Sequence, residues 1–395
     1  MSTRRTYLDW NATAPLRPEA RAAILAALDE HGNPSSVHAE GRKARAITER
    51  ARYQIAALAG AEPHNVIFTS GATEAANQAL VPRWSGGTAC ALYAGALEHP
   101  CVLAGGRFQT DSVITVAATK HGVIDIDRLK HHLGRHDLAL GRPLVALMLA
   151  NNETGVVQPV AEAAALVHDV GGLLICDAVQ AAGRIPVDLR ALGADAILLS
   201  AHKLGGPKGV GALVLADEAV APAPLMSGGG QERRQRAGTE NVAGIAGFGA
   251  AAEAALAELA RMPAVARLRD RLERGLAAIA ATAPWQRPDG GRLPLDVLSQ
   301  APRLPNTTLA TLPGATAETL VIQLDLAGIA VSAGAACSSG KLTRSHVLNA
   351  MGIEPEIAAG TIRVSLGATN TDDDIDRFLA AWSEIAARHG ARKAA

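Results

Sequence analysis

Short, mainly apolar runs recur along this chain, and the segments between several of them have apolar residues at helical spacing. The apolar runs have the length of buried strands and lie at residues 66–69, 89–93, 112–116, 144–149, 173–176, 197–200 and 212–215. Helical spacing is clearest at residues 127–133 and 160–170. Such alternation of strands and helices is typical of a largely parallel sheet that is covered by helices.

The helical pattern extends to both sides of this alternating region. Residues 18–31 and 38–60 predict two helices joined by a loop, and residues 73–80 predict a short helix after the first strand. An alanine-rich helical region begins near Thr239 and leads into a second, basic helix that ends near Thr282.

The last third of the chain has a different composition. Residues 284–305 contain several prolines and glycines, which indicates a surface connection. Beyond them the pattern predicts strands at 307–311, 329–332 and 361–366, and helices at 318–327 and from residue 372. We therefore predict a large α/β domain at residues 16–260 and a small α+β domain formed by residues 1–15 and 261–395.

Composition narrows the classes of protein that fit. The 395 residues include 38 Lys and Arg and 38 Asp and Glu, so the net charge is zero, and we expect no nucleic-acid surface. The first residues lack the apolar core of a signal peptide, and no apolar run has the length of a membrane span. The four cysteines are too scattered for a CxxC metal motif. These features predict a soluble, cytoplasmic enzyme without a metal site.

Lys203 is the first candidate for chemistry. The apolar residues 196–199 run into a polar turn that ends at Lys203 and then into glycines, so the lysine lies where a buried strand leaves the core. Ligands of α/β enzymes bind at that edge of the sheet. An amine there can attack a carbonyl such as the aldehyde of pyridoxal phosphate. The alternative is a solvated loop lysine.

Asp177 and the turn after the first strand fit the same cofactor. Asp177 directly follows an apolar strand, where a buried carboxylate needs a partner such as a pyridinium nitrogen; the alternative is a helix cap. After strand 66–69, the start of a helix presents free backbone N–H groups to an anion. We expect the phosphate to contact Gly71, Ala72, Thr73, Ser200 and His202.

Two further side chains have an interpretation in such a site. His99 follows strand 89–93 by a few residues, and its ring could stack on a flat cofactor and carry protons; a structural histidine is the alternative. Arg363 lies inside an apolar strand, where a guanidinium favours a planar anion such as an amino-acid carboxylate; a structural ion pair is the alternative.

Cys337 is the candidate nucleophile. It lies in a segment of small residues, 331–340, that permits backbone mobility, and a thiol becomes a nucleophile when its thiolate is stabilised. Cys90, Cys101 and Cys176 lie in or beside apolar runs and are interpreted as core residues. The segment lacks the spacing of a phosphate-binding P-loop, and no GxGxxG follows a strand, so nucleotide binding has no support.

In this order, the motifs resemble those of the cysteine desulfurases, pyridoxal-phosphate enzymes of the fold-type I aminotransferase group, across nearly the whole chain. The matching segments are residues 7–9, 11–15, 32–38, 68–74, 98–99, 151–155, 177–180, 200–203, 228–232, 236–239, 331–340 and 362–363. The resemblance implies an α/β fold with a mainly parallel, seven-stranded-type sheet in the large domain, and a homodimer. Trp10 departs from the family pattern, which affects the packing expected around it.

The resemblance also implies the roles of the matched residues. Lys203 is similar to the Schiff-base lysine, Cys337 to the nucleophile that forms a persulfide, and His99 to the histidine that stacks on the cofactor ring. Asp177 matches the partner of the ring nitrogen, and Gln180 the donor to the ring hydroxyl.

The remaining matched residues bind the cofactor or the substrate. Ala72, Thr73, Ser200 and His202 match phosphate contacts, and Thr239 matches a phosphate contact that comes from the other subunit. Asn152 and Arg363 match the residues that hold the substrate carboxylate, and Asn152 also lies at the cofactor.

The reaction implied by the resemblance converts L-cysteine to L-alanine. Lys203 removes the Cα proton, and the Cys337 thiolate attacks the substrate sulfur, leaving a persulfide that passes to a scaffold or carrier protein. The uninterrupted stretch from Cys337 to Arg363 resembles the group that serves iron–sulfur cluster assembly or nitrogen fixation, with Cys337 as the point where an iron–sulfur species would bind transiently. A selenocysteine lyase, a kynureninase-like hydrolase, an aminotransferase and a binding protein without activity are the alternatives.

Overall fold

The computed structural model describes residues 5–281, 300–333 and 345–394. Its strands are β1 (Thr6–Tyr7), β2 (Val66–Thr69), β3 (Arg83–Trp84), β4 (Gly87–Gly95), β5 (Val113–Val116), β6 (Arg142–Met148), β7 (Leu173–Asp177), β8 (Ala196–Ser200), β9 (Gly211–Leu215), β10 (Thr307–Thr311), β11 (Ile329–Ala330), β12 (Ser332–Ala333) and β13 (Thr361–Ser365).

Helices lie between most of these strands. They are α1 (Pro18–Leu28), α2 (Ala39–Ala59), α3 (Ala72–Ala79), α4 (Pro100–Leu103), α5 (Ile126–Gly134), α6 (Val160–Asp169), α7 (Leu189–Leu192), α8 (Val242–Glu258), α9 (Met262–Ala281), α10 (Ala317–Leu326), α11 (His346–Ala350), α12 (Pro355–Ala359) and α13 (Asp372–Ala394). Each apolar run that predicted a strand of the main sheet lies in a strand, with bounds that differ by at most a few residues. The strand predicted at 329–332 is instead two short strands, β11 and β12, which belong to different sheets.

The main sheet is mostly parallel, as predicted. Its order is β2-β9-β8-β7-β6-β4, and both β5 and β3 pair with β4. Strands β5, β4, β6, β7 and β8 are parallel, whereas β9 is antiparallel to both of its neighbours. The sheet has eight strands because the two-residue β3 adds a short antiparallel pair to the expected seven. The carboxyl ends of β4, β6, β7 and β8 therefore meet at one edge.

Both faces of this sheet are buried, which explains why its central strands are apolar without interruption. Side chains alternate between two core clusters: Leu174 and Ile197 pack in one, and Ile175 and Leu198 in the other. Helices α1, α2 and α8 pack together on the first side. Gly249 of α8 permits this close packing, because a Cβ there would lie 2.6 Å from the Cα of Ala51.

Helices α8 and α9 form the one stretch of the described residues, Val242–Ala280, that is long and apolar enough to cross a membrane. The sequence had predicted no run of that length. Buried residues make up 44% of its most apolar window, and small residues of α8 pack against α1 and α2. Its apolar composition is therefore explained by packing within the fold, as in the core helices of many globular proteins.

A second core joins the two ends of the chain. Strands β10, β13 and β12 form an antiparallel sheet, and β1 pairs in parallel with β11. Leu8, Leu272 and Ile362 pack there with Phe378, whose ring stacks on Trp382 at 5.8 Å. This separate core supports the predicted division at residues 1–15 with 261–395 and 16–260, which we retain as a proposal.

The segment after β1 runs from the second core to the edge of the main sheet. Trp10 lies against Gly367, where a Cβ would approach the indole ring to 2.1 Å. A large side chain at position 10 thus requires glycine at position 367, which accounts for the packing of the residue that departs from the family pattern.

Candidate active site

A cavity of about 660 Å³ lies at the carboxyl edge of the main sheet, against the second core. It is lined by Asn11, Ala12, Thr13, Ser70, Gly71, Ala72, Thr73, Glu74, His99, Cys101, Met148, Ala150, Asn152, Asp177, Val179, Gln180, Ser200, His202, Lys203, Lys208, Gly209 and Arg363. The structure thus brings together every predicted site residue except two. Thr239 lies elsewhere, and Cys337 lies outside the described residues.

Lys203 reaches the cavity from a short turn, Ala201–Lys203, that directly follows β8. Its Nζ atom donates hydrogen bonds to the main-chain oxygens of Asn11 and Ala12, at 2.6 and 2.9 Å. The lysine is therefore held at the cavity by the N-terminal segment and is not the solvated loop residue of the alternative interpretation.

Asp177 is the last residue of β7, and its side chain is buried at the base of the cavity. Its Oδ1 atom accepts a hydrogen bond from the Val179 N–H at 2.9 Å. One carboxylate oxygen therefore caps the following turn, as the alternative interpretation expects. Burial raises the pKa of Asp177 to about 6, although the Val179 N–H and the charge of Lys203 act in the opposite direction. A cation bound near this carboxylate would lower the pKa again and stabilise the ionised form.

Glu98 is a second buried carboxyl group near Asp177. Its Oε1 atom accepts a hydrogen bond from the Met148 N–H at 2.6 Å, and its Oε2 atom has no partner among the described residues. Burial raises the pKa of Glu98 well above its usual range, and the charge of Asp177 adds to this effect. The Met148 N–H acts in the opposite direction, but burial dominates, so Glu98 holds its proton more tightly than an exposed glutamate does.

Replacing Glu98 by glutamine should leave the free energy of unfolding within about 1 kcal/mol of the wild type, because a neutral amide oxygen can accept the same Met148 N–H. Alanine should cost about 2–4 kcal/mol, since it leaves that buried N–H unpaired and opens a cavity. Urea unfolding of both variants at pH 7 measures the difference. Equal losses for both variants would show that an amide oxygen cannot replace the Glu98 carboxyl group as the acceptor of the Met148 N–H.

His99 is the N-cap residue of α4, and its ring lies at the cavity. Its Nδ1 atom accepts the Cys101 N–H at 3.2 Å and lies 3.0 Å from the Cys101 sulfur. Burial, with smaller contributions from the charges of Lys203 and His346, lowers the pKa of His99 to about 4. The imidazole is therefore neutral and carries its proton on Nε2.

Cys101 lies between the core and the cavity. As the sequence predicted, it packs against the core cluster that contains Ile175 and Leu198, and it also lines the cavity near His99 and Thr73. Burial, together with the charge of Asp177, raises the pKa of the Cys101 thiol to about 12. The thiol stays protonated, so it can donate to His99 but is a poor nucleophile.

The start of α3 forms the polar end of the cavity. Gly71, its N-cap residue, provides no side-chain cap, and the space where its Cβ would lie is open. The adjacent Glu74 carboxylate is paired with Arg236 at 2.8 Å, which offsets its charge near an anion site. Ser200 and His202 approach from β8 and the turn after it. Burial, with the charge of Lys203, lowers the pKa of His202 to about 4.

Arg363 enters the cavity from β13, where it is almost fully buried. Its Nη2 atom is paired with Asp9 at 2.8 Å, and Nη1 donates to the main-chain oxygen of Asn152 at 3.0 Å. The ion pair of the alternative interpretation therefore exists. The Nε atom of Arg363 and the Oδ1 atom of Asn152 are buried without a partner among the described residues. Both residues line the cavity, so a buried donor and a buried acceptor without partners in the described chain lie at its wall.

Thr239 does not reach this cavity within its own chain. It lines a separate cavity of about 350 Å³ with residues 27, 28, 30–34 and 240–243. The expectation that Thr239 contacts the phosphate therefore depends entirely on a second subunit.

Asn11 is a site residue for which no individual role was predicted. It is fully buried, and its main-chain oxygen accepts hydrogen bonds from Lys203 Nζ and from Gln180 Nε2 at 3.1 Å. Its side chain donates to Asn152 O and Thr307 Oγ1 and accepts from Asn306. Its inclusion in the motif at residues 11–15 was the only signal in the sequence.

The residues fit pyridoxal phosphate, the cofactor expected from the sequence. The buried Asp177 would gain a cationic partner, and the uncapped start of α3 with open space at Gly71 suits a phosphate. The unpartnered Asn152 Oδ1 requires a donor from a ligand. The amine of Lys203 lies at the same cavity.

Comparison with known proteins agrees with this arrangement. The family model for class-V aminotransferases matches residues 6–378. A cysteine desulfurase of Cereibacter sphaeroides is 44% identical over 382 residues, covering 95% of this chain and 94% of that protein. Cysteine desulfurase IscS of Dictyoglomus turgidum is 38% identical over 388 residues, covering 95% and 93%. The solved structure of a NifS-like protein from Rickettsia africae superposes with a TM-score of 0.83 at 33% identity, covering 97% and 99%.

Proposed function

This chain belongs to the class-V aminotransferase family, an enzyme family that uses pyridoxal phosphate, and from that premise we propose how its cavity acts as a cysteine desulfurase. The enzyme converts L-cysteine to L-alanine and transfers the sulfur to one of its own cysteines as a persulfide. The observation that supports this assignment most directly is the meeting of Lys203, Asp177, His99 and Arg363 in one cavity.

Four side chains hold the cofactor's ring and attach it. With pyridoxal phosphate bound, Asp177 would pair with the ring nitrogen and Gln180 would donate to the ring hydroxyl. The ring of His99 would stack on the cofactor, and Lys203 would supply the amine that attaches it. The phosphate would be held at the start of α3 by Gly71, Ala72 and Thr73. Ser200 and His202 would contact it from β8 and the turn that follows. When bound, the cofactor supplies an electron sink for the charge formed at the substrate Cα.

Proton transfer is carried by Lys203 and His99. Lys203 Nζ removes the Cα proton of L-cysteine, because its amine lies at the cavity and is held there by main-chain oxygens. His99 stays neutral at physiological pH and can donate only from Nε2, because its Nδ1 accepts the Cys101 N–H. Each group therefore has one atom through which it can exchange a proton with the substrate.

The substrate carboxylate binds at the side of the cavity formed by β13. The Arg363 guanidinium and Asn152 both line the cavity there, and a guanidinium pairs well with a planar carboxylate. The pairing of Arg363 with Asp9 fixes the direction of the guanidinium before substrate arrives.

The Cys337 thiolate forms an S–S bond with the substrate sulfur as the Cβ–S bond breaks. The electron pair of the broken bond stays with the carbon fragment, which is protonated and released as alanine. We propose that the persulfide then passes to a scaffold or carrier protein for iron–sulfur cluster assembly or another thiolation pathway. The IscS name of one relative agrees with the first of these uses. Binding of an iron–sulfur species at Cys337 during transfer is part of the same proposal.

We also propose that the enzyme is a soluble, cytoplasmic homodimer that binds neither nucleic acid nor membranes. Thr239 lies outside the candidate active site of its own chain, so its expected phosphate contact supports a dimer. Leu25 and Leu28 of α1 add an exposed apolar surface near Thr239, 48% and 65% exposed, of the kind that subunit contacts cover.

Replacing Cys337 by alanine is expected to retain the visible absorbance of bound pyridoxal phosphate and to abolish release of sulfide from L-cysteine in the presence of a reductant. Sulfide and alanine are assayed together, and equimolar products are expected from the wild type. Cys90→Ala is the matched control, because Cys90 contacts His136 away from the cavity. This variant should convert L-cysteine at the wild-type rate.

Wild-type turnover by Cys337→Ala would contradict the persulfide role. A wild-type protein that binds pyridoxal phosphate but releases no sulfide would favour another reaction on this scaffold, such as selenocysteine cleavage or transamination. A wild-type protein that does not bind pyridoxal phosphate would favour the alternative of a binding protein without activity.

A further inference from the structure

Behind Gln180 lies a buried arginine whose role is not assigned by the proposed mechanism. Arg184 is 7% exposed. Its Nη1 atom donates to the Gln180 side-chain oxygen, Oε1, at 2.8 Å and to the Gln180 main-chain oxygen at 2.6 Å. Its Nη2 atom is 3.4 Å from the main-chain oxygen of Trp10.

Arg184 is an unusual buried cation, because its hydrogen-bond acceptors are all neutral. Within the described part of the chain no carboxylate lies within ion-pair distance of it. Burial and the nearby charge of Arg363 lower the pKa of Arg184 to about 9, so it is still charged at neutral pH. A buried charge without an ionic partner destabilises a fold, which argues that this guanidinium has a function.

The chemistry of the guanidinium determines which way the Gln180 amide points. A guanidinium has five N–H donors and no acceptor, so only the oxygen of the amide can face it. The Nε2 atom must then face the other way, where it donates to Asn11 O at 3.1 Å. That oxygen also accepts from Lys203 Nζ, so the second N–H of Nε2 lies at the cavity, beside the lysine.

We propose that Arg184 is a positioning residue that fixes the Gln180 amide with its N–H group toward the cavity, so that the site selects a ring bearing an acceptor oxygen at that place. The inference rests on the proposed function, because it takes the ring hydroxyl of pyridoxal phosphate as the group that Gln180 meets. Without the guanidinium, only the hydrogen bond from Nε2 to Asn11 O opposes a half-turn of the amide, which would present its oxygen to the ring hydroxyl and repel an acceptor there.

The test measures cofactor affinity in the absence of catalysis. Apoenzyme is titrated by calorimetry with pyridoxal 5′-phosphate and with its 3-deoxy analogue, which lacks the ring hydroxyl. The ratio of the two dissociation constants reports the contact with that hydroxyl. We expect Gln180→Leu to abolish the wild-type preference for the natural cofactor, and Arg184→Met to reduce it roughly three- to tenfold.

Further variants separate positioning from general damage. Arg184→Lys keeps an obligate donor and should keep the preference. Arg184→Gln can either donate or accept a hydrogen bond, so it should lose the preference for the natural cofactor. It replaces Arg184→Met in the comparison if the methionine variant does not fold. Arg303→Met is the matched control, because it removes another buried guanidinium that is paired with Glu273, and its preference should be unchanged.

The outcomes distinguish the inference from the function on which it rests. If Arg184→Met or Arg184→Gln keeps the full preference while Gln180→Leu loses it, the positioning role is wrong and the proposed function stands. If Gln180→Leu also keeps the preference, Gln180 does not meet the hydroxyl and the inference fails with it. Wild-type apoenzyme that binds neither compound would overturn the proposed function itself.

Discussion

A Lys203→Ala variant is expected to lose the covalent link to pyridoxal phosphate and to release sulfide from L-cysteine at least roughly 10⁴-fold more slowly than the wild type. The expected loss is large because one amine both attaches the cofactor and removes the Cα proton. The variant should still fold. Removing Nζ leaves the main-chain oxygens of Asn11 and Ala12 without that donor, which costs about 1–3 kcal/mol.

The covalent link is measured by mass spectrometry after reduction with borohydride, which should add the reduced cofactor to the wild-type chain only. Lys208 provides a matched control, because it lines the same cavity and lies five residues further along the chain. Lys208→Ala should still carry the adduct on Lys203. An adduct on the Lys203→Ala chain, or near-normal sulfide release, would assign the amine to another residue.

An Asp177→Asn variant should retain covalently bound cofactor and release sulfide roughly 10²–10³-fold more slowly, because a neutral amide cannot stabilise a positive charge on the ring nitrogen. The reduction should appear in kcat rather than in KM, since the residue acts on the reacting ring and not on the substrate carboxylate. Steady-state kinetics at pH 7 to 8 measure both constants. Activity within threefold of the wild type would show that the ring needs no anionic partner.

The same substitution predicts a change in how stability depends on pH. Burial raises the pKa of Asp177 to about 6 from an ordinary value of 3.8, so the folded apoprotein binds this proton more tightly than the unfolded chain does. The contribution is fully present below about pH 4 and is lost as the pH rises through 6. The apoprotein of Asp177→Asn should lack this loss, and bound cofactor should suppress it in the wild type.

Asp188→Asn is a suitable control for both measurements. Asp188 is exposed and caps α7, and asparagine caps helices equally well. Its activity and its pH dependence should match those of the wild type.

The main sheet could be predicted because its strands are buried on both faces and therefore appear in the sequence as uninterrupted apolar runs. The site residues at its edge followed from the same pattern, since Asp177 and Lys203 come directly after two such runs. The reversed direction of β9 was not predicted from periodicity. The stretch between β8 and β9 is too short for the crossover helix that a parallel pair needs, so the chain returns antiparallel.

Other features of the site depend on contacts that no local pattern encodes. The Asn11 side chain meets Thr307 across 296 residues, and only the folded chain places the two at one cavity. Cys101 follows the apolar strand β4 closely enough to look like a core residue, and its approach to His99 depends on the first turn of α4. Arg184 and Gln180 are only four residues apart, but arginine is ordinarily a surface residue. Nothing in the sequence therefore indicated that this arginine is buried behind the site.

The joining of the chain's two ends at the second core has a consequence for synthesis on the ribosome. Tyr7 pairs with Ala330, and Asp9 with Arg363, 354 residues further along. At elongation rates of roughly 5–20 residues per second, the first residues to emerge wait tens of seconds for these partners. Because Asn11 holds Lys203 from that same segment, a nascent chain cannot complete its cofactor site until β13 has emerged. We therefore expect the cofactor to load only after residue 365 has emerged from the ribosome.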